Sequence, residues 1–220
     1  VKESLIFTSD DGHRYIAELS NGKVVHKMDH LACFFPGLLA LGADLLQDAD
    51  ADSDLQLAKD LTATCFAMYK MQTTGVAPEF VRFTSGKGMY NGANHNLLRP
   101  EASEAIFYLW RVTKDPIYRE WGWQIFLAFD HWCRVPGAGF AGLRDVTSPN
   151  PAKDDTMQSF WLAETLKYLF LLFSDDSALD LKQWVLNTEA HPLRVMQGVP
   201  TASNLARWAA TSRKSTGQQS

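Results

Sequence analysis

A segment near the middle of the chain reads Asn96-Leu97-Leu98-Arg99-Pro100-Glu101-Ala102-Ser103-Glu104. We expect a helix from Glu101 to Arg111, because proline is favoured at the first turn of a helix and the residues that follow carry an apolar stripe. Glu101 and Glu104 lie one helical turn apart, so their carboxylates can share one face of that helix. The segment therefore predicts a helix whose first turn presents two negative charges.

Helical periodicity continues on both sides of this segment. Apolar residues recur at helical spacing in residues 31–41 and 55–68. We expect further helices over residues 118–132 and from Asp154 to Phe173, the last one capped by its first three residues. Residues 5–28 instead show short alternating runs separated by turn signals, which predict a β-hairpin. The order of hairpin, helix pair, loop, helix pair, loop and helix indicates a helical toroid or solenoid.

Composition narrows the class of protein. The 220 residues are 46% hydrophobic and 21% charged, with a net charge of −4. This is typical of a globular protein, and the mildly acidic balance argues against nucleic acid as the main partner. No apolar run is long enough to span a membrane. Three cysteines allow either one disulfide with one leftover thiol or three buried thiols, and their number leaves both open.

Two possible metal motifs lack the residues they need. The acidic run over residues 48–54 has Ser53 and Lys59 where a calcium-binding EF-hand loop requires glycine and a bidentate glutamate. His30, His95 and His191 have no histidine or cysteine at zinc spacing, so loop or core positions explain them better. No phosphate-binding loop, dinucleotide-binding motif or nucleophilic-serine motif is present.

Glutamates are the strongest candidates for functional residues in this sequence. Several glutamates lie in apolar or proline-flanked surroundings, where a charge needs a cation or a hydroxyl-rich ligand: Glu79, Glu101, Glu104, Glu164 and Glu189. Paired carboxylates with nearby aromatic side chains are how proteins hydrolyse glycosidic bonds. Aromatic residues make up 12% of the chain, which suits sugar stacking, although packing of a helical core explains this number equally well.

Five segments resemble, in order, segments of the class I α-1,2-mannosidases, glycoside hydrolase family 47, and most closely the endoplasmic-reticulum type. They are residues 28–37, 96–104, 111–123, 159–168 and 173–192. The resemblance implies an all-α fold, the C-terminal half of an (αα)7 barrel or toroid, with a short N-terminal β-hairpin. Residues 1–200 would form that half, and residues 201–220 a polar tail.

The resemblance also implies roles for individual residues. Glu101 matches the general base, and Thr188 matches the residue that holds a Ca2+ ion through its carbonyl and hydroxyl oxygens. Cys33 and Cys65 match a disulfide pair. The positions that match sugar-contacting or water-holding residues are Arg99, Phe160, Glu164, Glu79, Glu104 and Glu189.

The implied function is calcium-dependent, inverting hydrolysis of terminal α-1,2-linked mannose from high-mannose N-glycans. The general acid would lie on an N-terminal half that is absent from this chain. The alternative is a non-catalytic, lectin-like factor that binds mannose glycans in quality control. Either function, together with the implied disulfide, suggests the lumen of the endoplasmic reticulum or Golgi, or secretion.

Overall fold

Helices form the framework of residues 1–196, which are the residues that the computed structural model describes. They are α1 (Phe34–Leu46), α2 (Ala51–Lys70), α3 (Glu101–Thr113), α4 (Ile117–Cys133) and α5 (Leu166–Phe173). A 3-10 turn, His30–Cys33, leads into α1, and a π-helical turn, Trp161–Thr165, leads into α5. The tail predicted for residues 201–220 lies outside the described residues.

Helix α3 is the central helix and packs against α1, α2, α4 and α5. Small residues let its neighbours approach closely: a Cβ atom added to Gly37 of α1 would lie 3.2 Å from the Ala105 Cα of α3. Pro100 directly precedes α3, as predicted, and Lys114 ends it in the left-handed conformation with φ 57°. The predicted pairing of helices is therefore confirmed.

The β-structure expected in residues 5–28 is present as two short antiparallel pairs, and residues 1–196 contain five small antiparallel sheets in all. The strands are β1 (Ile6–Thr8), β2 (Arg14–Ile16), β3 (Glu18–Ser20), β4 (Lys23–Val25), β5 (Lys27–Asp29), β6 (Phe80–Thr84), β7 (Gly88–Asn91), β8 (Arg134–Val135), β9 (Gly139–Phe140), β10 (Trp184–Leu186) and β11 (Pro192–Arg194). None exceeds five residues, which is too short for a clear alternating pattern. The sheet β5–β6–β7 also pairs distant segments, with Met28 opposite Val81.

The helix predicted from Asp154 begins later than expected, near Ser159. The Asp154 carboxylate accepts the N–H of Thr156 within a local turn, and Asp155 has a left-handed φ of 63°. These residues hydrogen-bond locally instead of capping a helix, which is a common alternative for aspartate and threonine.

A second, smaller core cluster holds the end of the described chain against α3 and α5. Phe107 and Tyr108 of α3 pack there with Tyr168 and Leu171 of α5 and with Ala190. Ala190 belongs to the turn between β10 and β11, so this cluster holds that turn beside the middle of α3 and beside α5. Among the helices of residues 1–196, none is long and apolar enough to cross a membrane.

Exposed apolar side chains mark two faces of the described helices. Leu31, Phe34 and Leu38 form one face around α1, and Phe170 and Phe173 of α5 belong to the other. The five α-helices of residues 1–196 are fewer than seven pairs require. The structure thus shows paired helices but not a closed ring within residues 1–196.

A disulfide joins Cys33 and Cys65, as the resemblance implied, and links the turn before α1 to the middle of α2. Both cysteines are buried, and Cys133 is a buried free thiol. The count of cysteines had left this open, and the structure selects one bridge with one leftover thiol.

We predict that Cys33→Ser with Cys65→Ser lowers the free energy of unfolding by about 3–4 kcal/mol, because the bridge closes a loop with a sequence separation of 32. Denaturant unfolding monitored by circular dichroism measures this loss. Cys133→Ala is the control, since it removes a buried sulfur without opening the bridge. Equal stability of the double variant and the wild type would contradict a bridge that stabilises the fold.

Candidate active site

Glu101 is the first residue of α3, and its buried carboxylate contacts a histidine from the turn before α1. The Glu101 Oε2 atom lies 2.8 Å from Nδ1 of His30, and Nε2 of His30 lies 2.7 Å from the Tyr69 hydroxyl. When Nδ1 carries the proton, His30 donates to the carboxylate and Nε2 accepts the Tyr69 O–H. The three side chains form a buried relay that fixes the orientation of Glu101.

This relay keeps Glu101 charged. Burial disfavours the carboxylate, but the hydrogen bond from His30 and its nearby charge outweigh burial and hold the pKa of Glu101 below its ordinary value. Arg99 adds a smaller effect in the same direction. At neutral pH Glu101 is therefore an ionised group able to accept a proton.

Two neighbouring carboxyl groups behave in the opposite way. Burial raises the pKa of Glu104 to about 7, although its carboxylate accepts a hydrogen bond from the Tyr168 hydroxyl at 3.1 Å. Burial and the charges of Glu101 and Glu189 raise the pKa of Glu164 to about 7. The first turn of α3 and the turn before α5 thus bring Glu101, Glu104 and Glu164 into one electrostatic cluster.

Glu79, Arg99 and Phe160 form a second group beside Glu101. The Glu79 carboxylate accepts hydrogen bonds from the Arg99 Nε at 2.5 Å and from the Leu97 backbone N–H at 3.2 Å. The Arg99 guanidinium carbon lies 5.8 Å from the centre of the Phe160 ring. A partly exposed aromatic ring beside a fixed cation and a carboxylate suits a polyhydroxylated ligand, which presents both apolar C–H faces and hydroxyl groups.

A π-helical turn brings Phe160 and Glu164 to the same site. Phe160 directly precedes the turn Trp161–Thr165, and Glu164 lies within it. Turns of this kind insert one extra residue per turn and occur frequently at functional sites. No sequence signal marks this turn, because its apolar pattern resembles that of an ordinary helix.

Thr188 and Glu189 lie in the exposed turn between β10 and β11. The Asn187 side chain shapes this turn by accepting the backbone N–H groups of Glu189 and His191 at 3.0 and 2.9 Å. Within residues 1–196, neither the carbonyl nor the hydroxyl oxygen of Thr188 takes part in a hydrogen bond. Among the described residues, therefore, nothing competes with a ligand for these two oxygens.

The donor chemistry of this region fits a calcium ion. Ca2+ binds oxygen ligands, and the Thr188 oxygens lie next to Glu189, whose charge reaches Glu164. The raised pKa values of Glu104 and Glu164 indicate carboxyl groups that a nearby cation would stabilise in the ionised form. In residues 1–196, no three His, Cys, Asp or Glu side chains are placed to ligate one ion directly. A calcium ion here would therefore rely on Thr188 and on carboxylates that act through water.

The structure thus brings most of the predicted site residues together and adds two that the sequence did not indicate. His30 lies in the core, as one of the interpretations of its sequence position expected, but its bond to Glu101 was not foreseen. Tyr69 lay within an ordinary helical pattern. No sequence signal joins His30 to a residue that lies 71 positions away.

Comparison with known proteins specifies the family. The model of glycosyl hydrolase family 47 matches residues 1–195. The chain belongs to this family.

The chain matches only part of the length of each relative. The chain is 46% identical over 198 residues to the mannosyl-oligosaccharide alpha-1,2-mannosidase IA of Drosophila melanogaster, which covers 89% of this chain and 30% of that protein. It is also 46% identical over 198 residues to the mannosyl-oligosaccharide 1,2-alpha-mannosidase IC of Homo sapiens, of which it covers 31%. An alpha-1,2-mannosidase from Trichoderma reesei superposes with a TM-score of 0.82 at 26% identity, covering 89% of this chain and 45% of that one. The chain therefore spans about a third of the length of these curated relatives.

We predict that His30→Ala raises the pKa of Glu101, because burial then acts on the carboxylate without the opposing hydrogen bond. Carbon-13 NMR of carboxyl-labelled glutamate measures the titration, and Glu101→Gln assigns the signal. His30→Asn should restore part of the shift, since its amide can donate to Glu101. An unchanged titration of Glu101 in His30→Ala would contradict the relay.

Proposed function

We propose that the protein of which this chain is part hydrolyses terminal α-1,2-linked mannose from high-mannose N-glycans, with inversion at the anomeric carbon. The observation that carries the proposal is the buried Glu101 carboxylate, which lies 2.8 Å from Nδ1 of His30 and has a lowered pKa beside carboxyl groups whose pKa values are raised. A general base must be deprotonated at the working pH, and Glu101 is the member of the cluster that meets this requirement. The names of the relatives support mannose as the sugar.

In this mechanism Glu101 accepts a proton from a water molecule as the water oxygen attacks the anomeric carbon. The carboxylate is fixed by His30, so it needs no reorientation when the proton arrives. The hydrogen bond from His30 favours the ionised form of Glu101 before attack. The C–O bond to the leaving sugar breaks with the electron pair leaving on the glycosidic oxygen.

The sugar ring is proposed to stack on Phe160, with Arg99 and Glu79 binding its hydroxyl groups. The hydrogen bond between Arg99 and Glu79 fixes both side chains, which lowers the entropy lost when the sugar binds. Glu104, Glu164 and Glu189 are proposed to hold water and sugar hydroxyls on the opposite side of the cluster. These positions follow the resemblance, and the influence of the Glu189 charge on the pKa of Glu164 supports their proximity.

A calcium ion is proposed to bind at Thr188, through its carbonyl and hydroxyl oxygens. When bound, the ion supplies positive charge that keeps the surrounding carboxylates ionised. The partner acid that protonates the leaving oxygen is proposed to come from the part of the family's catalytic domain that this chain does not match, completing the (αα)7 ring. The buried disulfide supports an oxidising compartment, and we propose the secretory pathway.

We predict that Glu101→Gln in the complete enzyme abolishes release of mannose, because an amide cannot accept the proton of the attacking water. General-base catalysis contributes about 10²–10⁴-fold, which sets the minimum loss of kcat. Glu120→Gln is the matched control, since Glu120 is an exposed glutamate on α4. Mannose release from a high-mannose glycan is measured by chromatography, and the folded state by circular dichroism.

Retained turnover in Glu101→Gln would contradict the role of Glu101 as base. A wild-type enzyme that binds the glycan but releases no mannose under any condition would instead support the lectin-like alternative. Loss of that binding in Phe160→Ala would then assign the same surface to glycan recognition.

We also predict that a calcium chelator lowers the melting temperature more at about pH 8 than at about pH 5. Glu104 and Glu164 have folded-state pKa values raised to about 7 from the ordinary value of 4.5. The folded state therefore holds their protons more tightly, and its stability without calcium falls as the pH rises through that window. Calcium offsets this loss only where the carboxyl groups are ionised.

Thr188→Ala should weaken this effect of calcium, because it removes the hydroxyl oxygen from the proposed ligands. Thr84→Ala, an exposed threonine at the end of β6, is the matched control. Differential scanning calorimetry with and without chelator measures both variants. Equal melting temperatures of the wild type with and without chelator at about pH 8 would contradict the calcium proposal.

A further inference from the structure

The two halves of the proposed sugar site come from segments that are distant in the chain. Arg99 and Glu101 follow the turn at Leu98, whereas Phe160 and Glu164 belong to the π-helical turn Trp161–Thr165. Sugar stacked on Phe160 is attacked by water that Glu101 activates. The reaction therefore depends on how accurately these two segments are placed relative to each other.

One buried hydrogen bond joins the two segments directly. The Thr165 hydroxyl donates to the Leu98 backbone carbonyl at 2.7 Å, and both residues are fully buried. Thr165 is the last residue of the π-helical turn, and Leu98 directly precedes Arg99. A threonine in a helix commonly bonds to a carbonyl of its own preceding turn, but here the hydroxyl bonds across to another segment.

The Leu98 end of this bond is held in a strained conformation. Leu98 has a φ of 64°, in the left-handed region that a leucine rarely adopts. The buried Asn96 side chain maintains this conformation, because its Oδ1 accepts the Leu98 N–H at 2.8 Å and its Nδ2 donates to the Ala77 carbonyl at 2.8 Å. Strained backbone persists where the surrounding contacts determine it fully, and such places cluster at functional sites.

We propose that Thr165 is a positioning residue: its hydroxyl, bonded to the Leu98 carbonyl, sets the distance between the Arg99–Glu101 side and the Phe160–Glu164 side of the sugar site. This inference rests on the proposed function. Thr165 itself is fully buried, so it acts through the segments that it joins and not by touching the sugar.

The test replaces Thr165 by valine, which keeps the shape of the side chain and removes the donor. Misplacement of reacting groups by about 1 Å can cost about 100-fold in rate, so we expect kcat/KM for mannose release to fall by about 10- to 100-fold. Thr165→Ser keeps the hydroxyl and should stay within about threefold of the wild type. If Thr165→Val does not fold, Thr165→Ala replaces it, because alanine places no methyl group against the Leu98 carbonyl.

The chain offers a matched control for a purely structural effect. Thr64 of α2 is also buried, and its hydroxyl donates to the Arg14 backbone carbonyl at 2.6 Å, away from the site. Thr64→Val should lower the melting temperature as Thr165→Val does but leave kcat/KM unchanged. Equal effects of the two valine variants on kcat/KM would overturn the proposal, as would loss of activity in Thr165→Ser.

A second measurement separates failure of this inference from failure of the proposed function. Amide hydrogen exchange of the complete protein should show faster exchange in residues 96–101 as well as in residues 159–165 of Thr165→Val, and no such change in Thr64→Val. Exchange confined to residues 159–165 would contradict the link at Leu98, whether or not the enzyme releases mannose. A wild type without mannosidase activity would overturn the proposed function and leave the exchange result as the test of the link.

Discussion

The site depends on how the fold tolerates several carboxyl groups buried side by side. Burial and mutual repulsion both disfavour ionised carboxylates, so each one needs its own compensation. His30 compensates Glu101 and the Arg99 guanidinium compensates Glu79. Glu104 and Glu164 are compensated less, and their pKa values are raised to about 7 as a result. This unequal compensation divides one acidic cluster into a charged carboxylate, which is the proposed base, and neighbours that hold protons or require a cation.

The site is built on the central helix, α3. Its first turn supplies Glu101 and Glu104, and it packs against each of the other four α-helices of residues 1–196. His30 comes from the turn that leads into α1, and the disulfide at Cys33 anchors that turn to α2. The position of the hydrogen-bond donor to Glu101 is therefore set by a covalent link a few residues away. The disulfide that stabilises the helical core therefore also holds His30 in place, and His30 keeps Glu101 ionised.

Local sequence was sufficient to predict where most of the helices lie, and the rest depended on long-range contacts. Proline before Glu101 and the apolar stripe after it placed α3 correctly, because both signals act within one or two helical turns. The π-helical turn before α5 and the relay through His30 could not be predicted in this way. The π-helical turn changes the spacing of an apolar pattern by one residue. The relay through His30 joins residues that only the folded chain brings together. The roles given to Thr188 and Phe160 came from the resemblance and stay predictions.

The stereochemistry of the first product tests the central claim most directly, namely that Glu101 acts as a base on water and not as a nucleophile on the sugar. Proton NMR of the complete enzyme with an α-1,2-linked mannose substrate resolves the anomers of the released mannose before they equilibrate. If Glu101 is a base on water, β-mannose is the first product, formed in the presence of calcium and not in the presence of a chelator. Release of α-mannose first would mean that a carboxylate attacks the sugar itself, and would contradict the account.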